Sequence, residues 1–105
     1  MFCSFEGKPL ILRVYGKARA IHPRDEEWDE WISHFPEYPG SRQIFWLEVD
    51  LAQTSCGFAV PNYQYKGNRE DLVYWTGKLG DEGVKNYWKE KNQTSIDGKP
   101  TKILE

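Results

Sequence analysis

Residues 46–61 read WLEVDLAQTSCGFAVP. An apolar strand runs into Asp50. A small polar cluster, Gln53, Thr54 and Ser55, follows, then Cys56-Gly57 and a second short apolar run that ends at Pro61. Hydroxyl and amide side chains set between two strands can hydrogen-bond a planar polar ligand without crowding it. Upstream, residues 10–22 read LILRVYGKARAIH. The even positions are Leu10, Leu12, Val14, Gly16, Ala18 and Ala20, and the odd positions Ile11, Arg13, Tyr15, Lys17, Arg19 and Ile21. This period of two predicts a long strand with one apolar and one largely basic face. Gly16 in its middle signals a bulge or a bend, as barrel corners need. The two segments together point to a ligand-binding β-barrel.

Around this pair the chain alternates between strand and helix signals. Phe2–Phe5 reads as a strand, and Glu6-Gly7-Lys8-Pro9 as a turn. Pro23-Arg24-Asp25 closes the long strand and opens a helix. Asp25, Glu26 and Glu27 sit in its first turn, where carboxylates suit the N-terminal dipole. Trp28, Trp31, Ile32 and Phe35 mark one helical face, and Pro36, Pro39 and Gly40 end it. Arg42–Leu51 reads as a strand buried on both sides for half its length, and Ser55–Val60 as a further short strand. Leu72, Trp75, Thr76 and Leu79 make a helical stripe stopped by Gly80. Val84, Tyr87, Trp88 and Lys91 make another. The tail from Asn92 reads as irregular. The order β–β–α–β–β–α–α is an α+β arrangement, with strands segregated from helices.

At 105 residues the chain is expected to form a single domain, residues 1–105. Five Trp, six Tyr and five Phe supply large burial energy for a globular core. The tryptophans at 28, 31, 75 and 88 lie on apolar stripes and are expected in a core or interface. A net charge of −2 argues against bulk electrostatic binding to nucleic acid or an anionic membrane. No apolar run approaches the ~20 residues of a membrane-spanning helix. No secretory leader is recognisable, so Cys3 and Cys56 are expected as reduced thiols in a cytoplasmic protein. His22 and His34 have no metal-ligand spacing. The apolar, strand-like start at Met1 suggests that something upstream is missing.

Three groups could carry chemistry. Arg13, Lys17 and Arg19 read either as an anion or phosphate site or as a solvated strand face. Gln53, Thr54 and Ser55 read either as donors to the edge of a heteroaromatic ligand or as a turn satisfying its own backbone. Cys56 has no neighbouring base in sequence, and Glu48 and Asp50 suit an exposed face, so no catalytic residue is assigned.

The same residues carry a resemblance. The strand LRVYGKARAIHP, the helix with EEWDEWISHF, RQIFWLEVDLAQTSCGFAVP and the terminal EKNQTSIDGKP resemble the pyridoxamine 5′-phosphate oxidase-like proteins. More narrowly they resemble an uncharacterised bacterial and fungal subgroup. The likeness covers roughly Met1 to Pro100. It implies an antiparallel split β-barrel, usually a homodimer, with FMN held between subunits. Gln53-Thr54 matches the family's flavin-contacting Gln-Ser pair. Ile11 stands where the family has another flavin-contacting Gln. The N-terminal half with its phosphate grip has no counterpart, nor has the C-terminal Trp and Arg motif. The chain thus resembles the C-terminal half of a split barrel with flanking helices. Two functions follow as expectations. One is an FMN-binding, oxidoreductase-like protein, with Gln53, Thr54 and Ser55 at the flavin and Arg13, Lys17 and Arg19 at anionic groups. The other is a cofactor-free split-barrel relic that dimerises or binds a partner. Neither substrate nor electron donor is readable.

Overall fold

The computed structural model describes residues 1–105. The element order is β1 (Phe2–Cys3), β2 (Leu10–Ile21), α1 (Trp28–Ile32), β3 (Ile44–Cys56) and α2 (Asp71–Lys91). The chain is α+β. Its strands form one three-stranded antiparallel sheet in the order β1-β2-β3. The residues divide into two compact units: Met1–Arg19 with Phe45–Asn68, and Ala20–Ile44 with Arg69–Glu105.

In the first unit, β1 pairs with β2 through Phe2 opposite Leu12 and Cys3 opposite Ile11. β2 and β3 pass each other in opposite directions: Leu10 lies beside Gly57, Arg13 beside Ser55, Gly16 beside Glu48 and Arg19 beside Trp46. Arg13 meets an odd position of β3 and Arg19 an even one, so the alternation slips by one residue between them. Gly16 sits in that interval. A Cβ there would run into the Glu48 carbonyl oxygen, so the sheet accepts only glycine at this position.

The reading of residues 42–60 needs correction. One strand spans Ile44–Cys56, in place of two strands, and Phe58–Val60 is a turn closed by the Val60 N–H on the Gly57 carbonyl at 2.9 Å. No Gly or Pro interrupts the chain between Ile44 and Cys56, and the ladder offered by the twelve-residue β2 carries the polar cluster into the sheet, overriding its turn propensity. Nor is β3 buried on both sides: Phe45, Leu47, Val49 and Leu51 are all exposed.

The second unit holds Ile21, fully buried, together with Val84, Ile103, Thr76 and His22. Gly40, at φ 80°, lets the loop after α1 run against Thr76 and Val84; a Cβ would stand 3.0 Å from the Thr76 methyl. Helix α1 is only five residues long. The residues expected to start it form a turn instead, because the Asp25 carboxylate accepts the His22 N–H at 2.7 Å while the Asp25 N–H donates to the His22 carbonyl at 2.9 Å. This local side-chain bond competes with helix formation. Helix α2 breaks where expected, at Gly80 (φ 67°, ψ 173°). The Trp75 and Tyr87 rings meet edge-to-face across the break at 5.1 Å. The tryptophans of the helical stripes are not a closed core in this chain: Trp28, Trp31 and Trp88 are half-buried and Trp75 is exposed. The tail is ordered as a small hairpin with a bridge between Thr94 and Pro100.

Candidate functional site

The site residues read from the sequence all fall on β2 and β3. Arg13 Nη1 donates to Ser55 Oγ at 2.7 Å, a partly buried tie between residues 42 apart. A hydrogen bond from a charged donor contributes about 1.5–3 kcal/mol, so this pair helps fix the register of the two strands. It uses one of the five N–H groups of the guanidinium and leaves others for a ligand. Ser55 is therefore a structural partner of Arg13 first. Neither residue is evident as a pair in the sequence, since only the strand register brings them together.

Gln53, Thr54 and Ser55 lie within β3 rather than between strands. Alternation places Gln53 on the same face as Ser55, and hence beside Arg13, and Thr54 on the opposite face. The three do not act as one cluster. Gln53 and Thr54 are exposed. Arg19 stacks over the Trp46 ring, 4.9 Å from its centroid, an attraction of about 0.5–1 kcal/mol at an exposed site. Lys17 is exposed.

Gly57 explains the end of the TSCG run. It is buried, and a Cβ there would stand 2.7 Å from the Leu10 nitrogen. The strand therefore leaves the sheet by passing flush against the start of β2. Cys3 and Cys56 are both free thiols, half-buried and exposed respectively.

A second feature in this unit escaped the sequence reading. The loop after Gly57 returns along the chain's start: the Tyr63 N–H donates to the Phe5 carbonyl at 2.9 Å and the Tyr65 N–H to Glu6 Oε1 at 2.6 Å. The Phe5 and Tyr63 rings meet at a tilt, with centroids 5.5 Å apart. Together with Lys66 they line an open cavity of about 550 Å³. The aromatic spacing in Tyr63-Gln64-Tyr65 was the only signal, and it has no period that marks a site.

With this geometry in view, the chain can be set beside known proteins. It is 32% identical over 63 residues to the pyridoxamine 5′-phosphate oxidase family protein ustO of Aspergillus flavus. The matched stretch is 58% of this chain, and the chain spans about a quarter of the relative's length (25%). No family model and no solved structure matches. The comparison supports a relationship to that family over part of one relative.

The donor set can be tested against a flavin mononucleotide. Gln53 offers both an amide donor and an acceptor, which suits the polar edge of a flavin ring. The remaining Arg13 N–H groups and the Lys17 ammonium suit a phosphate. The residues present fit the group in kind. Thr54, on the opposite face from Gln53, is the member that does not. No helix is long and apolar enough to cross a membrane.

Proposed function

We propose that this chain forms the ligand-facing sheet of an FMN-binding, oxidoreductase-like protein of the pyridoxamine 5′-phosphate oxidase family, with β2 and β3 as adjacent staves of a split barrel. The observation that carries this reading is the 63-residue likeness to a protein named for that family. The common face of Arg13, Ser55 and Gln53 supplies donors of the right kind. In this reading residues 1–105 work as one functional domain of a cytoplasmic protein. Gln53 hydrogen-bonds the ring edge, and Arg13 and Lys17 hold the phosphate. Ser55 keeps the Arg13 guanidinium oriented, and Arg19 contributes positive charge from its place over Trp46. Bound FMN would supply the electron-transfer chemistry. The protein's part is to bind and orient it.

The test is titration of FMN into the purified chain, followed by quenching of flavin fluorescence. Replacing Gln53 with alanine is expected to weaken binding by about 0.5–1.5 kcal/mol, the loss of one hydrogen bond. Unchanged affinity would remove Gln53 from the site, and no quenching by the wild-type chain would overturn the flavin reading. A second reading, a cofactor-free module that binds another protein chain, draws support from the exposed row Phe45, Leu47, Val49 and Leu51 on β3.

A further inference from the structure

The cavity bordered by Phe5, Glu6, Tyr63, Tyr65 and Lys66 has no part in the flavin reading. It is built wholly within the first unit, from the turn after β1 and the loop after Gly57. Hydrogen bonds, not burial, hold its walls. The Tyr63 N–H ties the loop to the Phe5 carbonyl at 2.9 Å. Ser4 Oγ donates to the Glu6 carbonyl at 2.7 Å, and Glu6 Oε1 accepts the Tyr65 N–H at 2.6 Å. The Tyr65 hydroxyl donates to Asn68 Oδ1 at 2.7 Å. The rings are nonetheless uncovered: Tyr63 is 61% and Tyr65 69% exposed. Walls fixed before a ligand arrives lower the ordering cost of binding it.

Charge selects the ligand. Glu6 and Lys66 border the same cavity with opposite charges. No ion pair joins them, and neither pairs with another residue. The Tyr65 N–H occupies Glu6 Oε1 and leaves Oε2 open. A carboxylate beside aromatic faces attracts an organic cation twice, through its own charge and through the ring quadrupoles. A metal ion would need several oxygen ligands, and no cluster of metal-binding side chains is present. A primary ammonium has three N–H donors to satisfy, more than one carboxylate oxygen serves. A methylated ammonium has none and suits aromatic walls. A ligand that is only cationic leaves Lys66 unanswered, whereas an anionic group at its other end answers it. The volume, about 550 Å³, is that of a small-molecule site.

We propose that this cavity binds a small zwitterion with a methylated ammonium at one end and a carboxylate at the other. The ammonium lies against the Phe5, Tyr63 and Tyr65 rings with Glu6 Oε2 beside it. The Lys66 ammonium takes the carboxylate. The proposal is independent of any flavin, since Gln53 and Arg13 take no part in it.

The probe is trimethylglycine, titrated into the isotope-labelled 105-residue chain and followed by amide shifts in NMR. Shifts at Tyr63, Tyr65 and Lys66 are expected to saturate with a midpoint of about 1–10 mM, the affinity of a ligand with few atoms. Its isostere tert-butylacetate, with carbon in place of the charged nitrogen, is expected to bind about tenfold more weakly. Glu6→Gln keeps an acceptor for the Tyr65 N–H and removes the charge. It is expected to weaken trimethylglycine by about threefold to fivefold. Lys66→Met is expected to do the same to trimethylglycine and to leave choline, which lacks the carboxylate, unchanged. Absence of a saturable shift at about 100 mM, some tenfold above the expected midpoint, overturns the proposal. So does equal binding of the isostere, or a Glu6→Gln chain that binds as well as the wild type. Should Glu6→Gln fail to fold, the comparison of the two isosteres on the wild-type chain decides.

Discussion

The two units of this protein are built on opposite principles. Ile21, His22, Thr76, Val84 and Ile103, the residues with buried side chains, all belong to residues 20–44 and 69–105. In residues 1–19 and 45–68 the one buried residue is Gly57, which has no side chain to bury. The second unit is held by packing. The first is held by a backbone ladder, the Arg13–Ser55 bond and the Arg19–Trp46 stack. Apolar burial is the dominant stabilising term in folded domains, and the first unit displays a row of large apolar side chains in place of it. The candidate site residues lie in that unit.

The sharpest way to break this contrast is to remove apolar volume from each unit in turn. Ile21→Ala is expected to cost about 2–5 kcal/mol of stability in urea unfolding, since Ile21 is fully buried. Leu51→Ala, at 58% exposure, is expected to change stability by no more than about 0.5 kcal/mol. Equal losses at the two positions would erase the distinction.

Within the first unit the backbone, not the side chains, is expected to be sensitive. Gly16→Ala would drive a Cβ into the Glu48 carbonyl and is expected to cost about 1–3 kcal/mol as overpacking. Gly77 in α2 has open space where its Cβ would go, and Gly77→Ala is expected to stabilise the helix by about 0.5–1 kcal/mol. Denaturation midpoints of the two variants should move in opposite directions.

The smallest effect belongs to the exposed terminal hairpin. The Asp97 carboxylate accepts from the Lys99 ammonium at 2.7 Å and from the Ser95 hydroxyl, and these bonds, Lys99 first, hold its pKa below the ordinary value. A carboxylate with a lowered folded pKa contributes its stability in full above the unfolded value, near about 4, and loses it as pH falls through the lowered one. Amide shifts across Gln93–Thr101 in an NMR titration should follow this acidic transition and lose it in Asp97→Asn.

The long alternating strand ending at Ile21 was legible because period-two patterning is local and strong, and the break at Gly80 because glycine interrupts a helical stripe. The length of β3 was not. Gln53, Thr54 and Ser55 carry turn propensity, and only the ladder along β2 overrides it. The failure of the helix at Asp25 has a similar cause, a single side-chain bond to the His22 backbone that periodicity does not reveal. For the candidate site, the residue types Arg13, Gln53 and Ser55 were readable. That Arg13 ties to Ser55, that Thr54 faces away, and that Tyr63 and Tyr65 border a cavity with Phe5 and Glu6 all depend on strand register and loop return.

The amino-acid order alone thus settled the long alternating strand that ends at Ile21 and the helical stripes on either side of Gly80, because these depend on neighbours one to four residues apart. Tertiary structure alone decided which of those faces are covered. Burial depends on what the fold brings alongside each face, which periodicity does not encode: Ile21 is fully buried, while Phe45, Leu47, Val49 and Leu51 are exposed.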